Sequence, residues 1–256
     1  MPVVNINSDI GESFGPWKMG DDAGVMPLIN SANIACGFHG GDPDVMLKTV
    51  QLAMSHGVTL GAHPGFPDLQ GFGRRQIKMS AKELENMCAY QIGALMGVAA
   101  IAGGKVTHVK AHGALGNLTA VDIDAARALV RAIKAIDPKL IHVGLANSCL
   151  AKATIEAGIP LASEGFMDRM YDDDGNLTSR ANADAVHHDP AVAVKQVLAM
   201  VQEKVIVTRS GKRIPAEIHT LCVHGDEPTA RALGAAVKQA LLDAGVQLKT
   251  LPEMAL

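Results

Sequence analysis

Short apolar runs that end on an ionisable residue recur along the chain, each followed by a longer stretch of helical periodicity. That alternation calls for βαβ units around a parallel sheet, because parallel neighbours need a crossover and a helix supplies it. Strands are expected at Val3–Ser8, Asn30–Cys36, Val58–Ala62, Val106–Lys110, Ile141–Ala146, Pro160–Ser163 and Glu217–Val223. Helical patterns occupy Pro43–His56, Ser80–Ala102, Ile123–Ile136, Cys149–Ala157, Pro190–Glu203 and Glu227–Ala244. The Asp42-Pro43 pair opens the first of these helices, and Ser80 with Glu83 forms a capping box on the second. Segment 164–180, EGFMDRMYDDDGNLTSR, reads as a long polar loop, and Lys204–Pro215 as a hairpin turning at Ser210-Gly211. About seven strand–helix units, with no linker and no internal repeat, predict one α/β domain over residues 1–256.

The polar residues fall where such a fold uses them. Asp9 and Glu12 follow the first strand, His39 the second, His63 the third, His112 the fourth, Glu164 the sixth and His224 the seventh. In parallel sheets and barrels the carboxyl ends of the strands carry the active site. A lone loop histidine is usually a surface hydrogen-bonding group, but six strands delivering ionisable groups to one mouth call for a site. Parity places Asn5, Asn7 and Asp9 together facing inward, pairs Lys110 with His112 and Cys222 with His224, and sends Val4 and Ile6 outward. Inward asparagines need partners. For Asn5 and Asn7 a closed network at the barrel floor and a contact to substrate remain equally open. Gly37, Gly40, Gly41, Gly61, Gly65, Gly71, Gly73, Gly113 and Gly225 flank these residues, either for close backbone approach or simply as turns.

Composition narrows the functions. Charged residues make up 19%, the formal net charge is −3 and no basic run stands out, which argues against nucleic acid or an anionic membrane as partner. Cys36, Cys88, Cys149 and Cys222 form no CxxC pair, so reduced thiols and a cytoplasmic location are expected. The start, MPVVNINSDIGES, lacks the basic region of a signal peptide, and the apolar stretch 92–102 is too short to span a bilayer. No GxxxxGK[ST], post-strand GxGxxG, HExxH or GxSxG string is present, so neither a standard nucleotide site nor a serine nucleophile is indicated.

The strings NINSDIGESFG (5–15), NIACGFHGGDP (33–43), GAHPGFPDLQGFGRR (61–75), VKAHGALGN (109–117), EGFMDRMYDDDGNLTSR (164–180) and LCVHGD (221–226) resemble the LamB/YcsF family across essentially the whole chain. The pattern differs at Ala111, where that family usually has proline, at Gly116, where it has tyrosine, and at Ser8, where cysteine is common. These departures bear on pocket shape, since the ionisable residues are kept. The resemblance implies a seven-stranded (β/α) barrel of the glycoside hydrolase/deacetylase type. It further implies the A-subunit role in a 5-oxoprolinase, which opens the lactam of 5-oxo-L-proline to L-glutamate with ATP and partner subunits B and C. ATP is then used largely on the partners. An unactivated lactam is a poor electrophile, which gives the coupling a chemical reason.

Lactam opening needs an activated water, a stabiliser for the oxyanion and an acid for the leaving nitrogen. Asp9 or Glu12 is the candidate base; His39, His63 and His112 are candidates to polarise the carbonyl or protonate nitrogen. Lys110, Arg74 or Arg180 would hold the substrate carboxylate, with Asn7, Glu164 and His224 also lining the site; Arg75 and Arg169 read equally well as loop ties. Asp9, His39 and His63 also have the composition of a divalent-metal site that would activate water directly. Two rival functions remain: a stand-alone metal-dependent deacetylase or amidohydrolase, and a non-catalytic subunit that presents substrate. Self-association stays open.

Overall fold

The computed structural model describes residues 1–224 and 229–256. In chain order the elements are β1 (Val3–Ile10), α1 (Asp22–Val25), β2 (Ser31–Ala35), α2 (Pro43–Ser55), β3 (Thr59–His63), α3 (Ala81–Ile101), β4 (Val106–Lys110), α4 (Gly113–Val121) and α5 (Ile123–Ile136). They continue with β5 (Ile141–Leu145), α6 (Cys149–Ala157), β6 (Leu161–Phe166), α7 (Pro190–Gln202), β7 (Val205–Val207), β8 (Arg213–Pro215), β9 (Thr220–His224), α8 (Ala230–Asp243) and β10 (Gln247–Leu248). Strands β1, β2, β3, β4, β5, β6 and β9 pair in parallel in that order, and β1 pairs with β9 to close the ring. The fold is the seven-stranded (β/α) barrel expected. Strand β10 pairs in parallel with the start of β1, beside the ring.

Local chemistry explains the helices. Asp42 caps α2 by accepting from the Asp44 and Val45 amides, with Pro43 at the first helical position. Ser80 and Glu83 form the expected capping box on α3. Helix α5 buries Ala126, Leu129, Val130 and Ile133 along one stripe and exposes its charges on the other. Helix α3 is long and apolar enough by composition to cross a membrane, but its Leu84, Cys88, Ile92, Leu95 and Ala99 are buried in the shared core.

Strand parity is as expected. Val4 and Ile6 join the apolar layer between sheet and helices, whereas Asn5, Asn7 and Asp9 point into the barrel. On the β1, β2 and β9 side the interior is polar and closely bonded: Asn5 donates to Ser31 at 2.9 Å and accepts from Thr220 at 2.8 Å, and Asn7 donates to Thr220 at 2.7 Å. Asn33 donates to both Asn7 and Asp9 at 2.8 Å, and His108 reaches Asn33 at 3.1 Å. Gly61, across β3–β4 from His108, makes room for that ring: a Cβ there would lie 2.1 Å from its Nε2.

Several boundaries differ from expectation, each for a physical reason. β1 continues past Ser8 to Ile10, because Asp9 finds cationic and amide partners inside the barrel and can remain in the ladder. β6 likewise runs on to Phe166, so Glu164 lies in the strand rather than after it. Helix α4 is absent from the sequence expectation, since GALGNLTAV carries two glycines and weak helix formers; packing against α5 and α6 holds it. The β1–β2 crossover is only α1 and a short 3₁₀ turn at Met26–Leu28. Strand β9 begins at Thr220 rather than Glu217. The hairpin forms as expected, and Asp173 of the 164–180 segment accepts from its Thr208 and Ser210. Gly225 and the expected helix start at Glu227 lie outside the described residues.

His142 on β5 gives the fold a pH dependence of its own. Thr154 donates its hydroxyl to Leu150 O, so it accepts from His142 Nδ1 at 2.8 Å, and the ring is fully buried. Burial pushes this imidazole down to about 3. An unfolded histidine titrates near 6.5, so between these values the unfolded chain binds a proton that the folded one refuses. Stability therefore rises with pH across that window and is lost as pH falls below about 6.5. Urea unfolding of His142→Gln is expected to lose about 2 kcal/mol less than the parent chain between pH 7.5 and 5. Equal losses in the two proteins would exclude His142 as a source of acid sensitivity.

Candidate active site

The strand register brings the ionisable residues to one level. Asp9 pairs with Asn33 on β2 and with His224 on β9, and Ala35 pairs with His63. Glu12 leaves β1 on a turn whose backbone touches the β2 loop so closely that a Cβ at Gly40 would lie 2.6 Å from Glu12 O. His39 sits on that β2 loop, His63 ends β3, Lys110 ends β4 and His112 caps α4.

Four of these residues form a buried cluster. One donor atom each from Glu12, His39, His63 and His112 lies within 4.8 Å of all the others. Glu12 Oε1 is 3.2 Å from His39 Nε2, 3.2 Å from His112 Nδ1 and 3.9 Å from His63 Nε2. The rings of His39 and His112 stack with centroids 3.7 Å apart. His63 Nδ1 lies 2.8 Å from Lys110 O, and His112 Nε2 lies 2.7 Å from Phe72 O. A carbonyl only accepts, so these nitrogens carry the protons. The opposite atoms, His63 Nε2 and His112 Nδ1, then face each other at 3.0 Å as bare lone pairs when the rings are neutral. Two lone pairs and a carboxylate oxygen converging in a buried space call for a cation. Histidines fixed by carbonyls on their far nitrogens are the arrangement metal-binding imidazoles use.

Backbone geometry supports the cluster. Phe72 adopts φ +53 and Gly73 φ +61, and this left-handed pair turns the Phe72 carbonyl onto His112. A Cβ at Gly73 would lie 2.7 Å from His112 Cδ2 and 2.8 Å from His39 Cβ. Burial would raise the Glu12 carboxyl, but the imidazoles of His112 and His39 beside it hold it well below the ordinary range. Burial and the neighbouring His112 push His39 down to about 3.

A second layer adjoins the cluster through Asp9. Asp9 Oδ2 lies 3.3 Å from His63 Nε2, and Oδ1 lies 3.0 Å from Lys110 Nζ. Lys110 also reaches Glu164 Oε1 at 2.7 Å, Cys222 Sγ at 3.0 Å and Asn7 Oδ1 at 3.3 Å. Asp9, Cys222 and His224 also bring donor atoms within 4.8 Å of one another, but the Lys110 ammonium already bonds Asp9 and Cys222 there. Burial opposes both charges, yet His63 and Lys110 keep Asp9 well below its ordinary value, and Asp9, Cys222 and Glu164 keep Lys110 well above its own. Glu164 is raised by burial and by Asp9, against the pull of Lys110.

These groups open onto a cavity of about 470 Å³. Asp9, His112, Lys110, Glu164, His224, Arg74 and Arg180 all line it, so seven of the eleven expected site residues meet there. Glu12, His39 and His63 lie in the buried cluster, with His112 shared between cluster and cavity. Asn7 is held in the interior network, bonded to Thr220, Asn33 and Lys110. The expected trio Asp9, His39 and His63 is not the group that converges; Glu12 and His112 take the place expected of Asp9. Arg75 pairs with the Asp68 carboxylate, and Arg169 lines the cavity but donates to Thr178 O at 2.7 Å and Ala185 O at 3.3 Å, tying its loop. Ala111 and Gly116, the departures from the family pattern, both line the cavity, whereas Ser8 donates to Val223 O at 2.7 Å.

Asp168 is a candidate site residue that sequence reasoning misses. His224 Nδ1 lies 2.6 Å from Asp168 Oδ2, which aims the other ring nitrogen away from the carboxylate, and Phe166 stacks on the ring at 5.4 Å. Burial would raise Asp168, but His224 and the nearby Arg169 and Arg180 hold it ionised. Its signal is the one that marks the others, since it follows β6 by two residues. The strand expected from the sequence stops at Ser163, too early to bring Asp168 to the mouth.

Comparison with known proteins agrees with this fold. The model of the LamB/YcsF family matches residues 4–256. The A subunit of the 5-oxoprolinase from Rhodopseudomonas palustris (strain BisB5) is 54% identical over 243 residues, covering 94% of this chain and 96% of that protein. The crystal structure of the lactam utilization protein from Thermus thermophilus superposes with a TM-score of 0.92 at 40% identity, covering 97% of this chain and 100% of that one. The catalytic domain of a peptidoglycan N-acetylglucosamine deacetylase from Eubacterium rectale shares the fold, with a TM-score of 0.52 at 10% identity over 98% of this chain and 88% of that one.

Proposed function

The chain belongs to the LamB/YcsF family, and from that premise we propose that it opens the lactam of 5-oxo-L-proline to L-glutamate as the A subunit of an ATP-dependent, cytoplasmic 5-oxoprolinase with subunits B and C. One observation carries the reading. A buried Glu12–His39–His63–His112 cluster meets, at one cavity, the carboxylate of Asp9, the ammonium of Lys110 and the arginines Arg74 and Arg180. The names of the relatives, a 5-oxoprolinase component and a lactam utilization protein, support the substrate.

In this reading Arg74 and Arg180 hold the substrate carboxylate by charge-assisted hydrogen bonds. Asp9 faces the cavity, is kept anionic and accepts the proton of the attacking water. The water oxygen bonds to the lactam carbonyl carbon, and Lys110 offers its charge to the developing oxyanion. The C–N bond then breaks, and His224, oriented by Asp168, gives the proton that makes the leaving nitrogen an amine. The donor set suits a divalent ion; bound by Glu12, His39, His63 and His112, it would supply Lewis-acid polarisation of the carbonyl. ATP activation is assigned to the partner subunits.

The test is glutamate release from 5-oxo-L-proline by this chain alone and by the chain with subunits B and C, each with and without ATP. Turnover is expected only with partners and ATP together. Turnover by the chain alone without ATP would instead make it a stand-alone amidohydrolase. Unchanged turnover by an assembly carrying Asp9→Asn would reduce it to a substrate-presenting subunit.

A further inference from the structure

The cavity is larger than the lactam assigned to it. Its volume is about 470 Å³, whereas a five-membered lactam carboxylate displaces on the order of 100 Å³ and pockets of several hundred suit larger ligands. The charged groups supply anchoring for the polar part of a ligand: Arg74, Arg180, Lys110 and Glu164 belong to the same lining. Directly beside these groups, α4, β5 and the helix that follows it bring Ala120, Val143, Leu145 and Leu150 to the lining, with Val143 in register with Lys110 and Leu145 with Glu164. These side chains offer no hydrogen bond and no charge, so they favour an apolar group against them over a polar one. Gly116 lets α4 approach the end of β4 closely, since even a Cβ there would sit 3.0 Å from Ala111 O, and it adds no side chain to the space.

We propose that the site takes cyclic amides bearing both a carboxylate and a short apolar substituent on the ring, with the substituent against Ala120, Val143, Leu145 and Leu150. This rests on the lactam-opening reading and names the substrate class more narrowly. Each methylene buried there strengthens binding about fourfold, so a propyl group is worth tenfold or more.

Calorimetric titration of the full chain tests this with four probes: 5-oxo-L-proline, its 3-propyl and 4-propyl derivatives, and ATP. At least one propyl compound is expected to bind ten times more tightly than the parent lactam. Ala120→Phe, which fills the apolar branch, is expected to remove that gain, and Ala120→Leu to reduce it, with thermal unfolding confirming that both variants fold. If 5-oxo-L-proline binds as well as both propyl compounds, the wider substrate class is wrong and the lactam reading stands. A propyl gain that survives in Ala120→Phe refutes the placement. If no lactam binds, or ATP alone binds, the lactam reading fails and takes the inference with it.

Discussion

Glu12→Gln is expected to cut lactam opening by the complete enzyme about 10³-fold or more, and to leave the chain unable to retain a divalent ion. The substitution is nearly isosteric: a glutamine Oε1 can still accept from His39 Nε2 and its amide NH₂ can donate to the bare His112 Nδ1, the two nitrogens each lying 3.2 Å from the present carboxylate oxygen. If those hydrogen bonds were the whole role of Glu12, the loss would be small, on the order of 1–2 kcal/mol. A cation among three imidazoles instead depends on the only anionic donor of the group, and losing metal polarisation costs several kcal/mol of transition-state stabilisation. Elemental analysis of protein purified without chelator or nickel resin, beside turnover of the reconstituted assembly, measures both effects. Asp9→Asn is the paired control: Asp9 lies outside the converging group, so the ion should stay while turnover falls by about 10²–10⁴. Metal retained by Glu12→Gln and lost by Asp9→Asn would reverse the assignment.

That control marks where the sequence was legible and where it was not. Period-two parity put Asn5, Asn7 and Asp9 inside the barrel and Val4 and Ile6 outside, because a strand permits no other arrangement. The rule that strand ends carry the site brought His39, His63, His112 and His224 to one mouth. Depth along the barrel axis was not readable. Asp9 remains in the ladder with Asn33 and Lys110, while Glu12, beyond the strand, turns back into the histidines. Which carboxylate meets which imidazole depends on loop closure, here on Gly40 against the Glu12 backbone and Gly73 against His112. Helix α4 was hidden for a similar reason, since tertiary packing and not local propensity makes GALGNLTAV helical. The polar interior partners, Asn33 and His108, gave no signal of their own, because each looks like an ordinary strand residue until the barrel closes.

Asp168→Asn should lower kcat about 10²- to 10³-fold with KM nearly unchanged, through the orientation and charge balance of His224. The 2.6 Å hydrogen bond from His224 Nδ1 fixes the ring and leaves Nε2 to meet the leaving nitrogen. A neutral amide holds the ring with less charge and offers its NH₂ group as readily as its oxygen, so the imidazolium is destabilised and the tautomer is no longer set. A merely structural Asp168 would, when replaced, lower stability and raise KM together, which separates the two roles. The discriminating readout is a change of leaving group. The corresponding lactone carboxylate expels an alkoxide, which needs protonation far less than an amide nitrogen does. If His224 acts as the acid, the defect of Asp168→Asn should shrink at least tenfold with the lactone, and that of His224→Gln should shrink in parallel. A defect of equal size on lactam and lactone would remove the Asp168–His224 pair from proton transfer and leave it the task of holding Phe166 and the 164–180 loop in place.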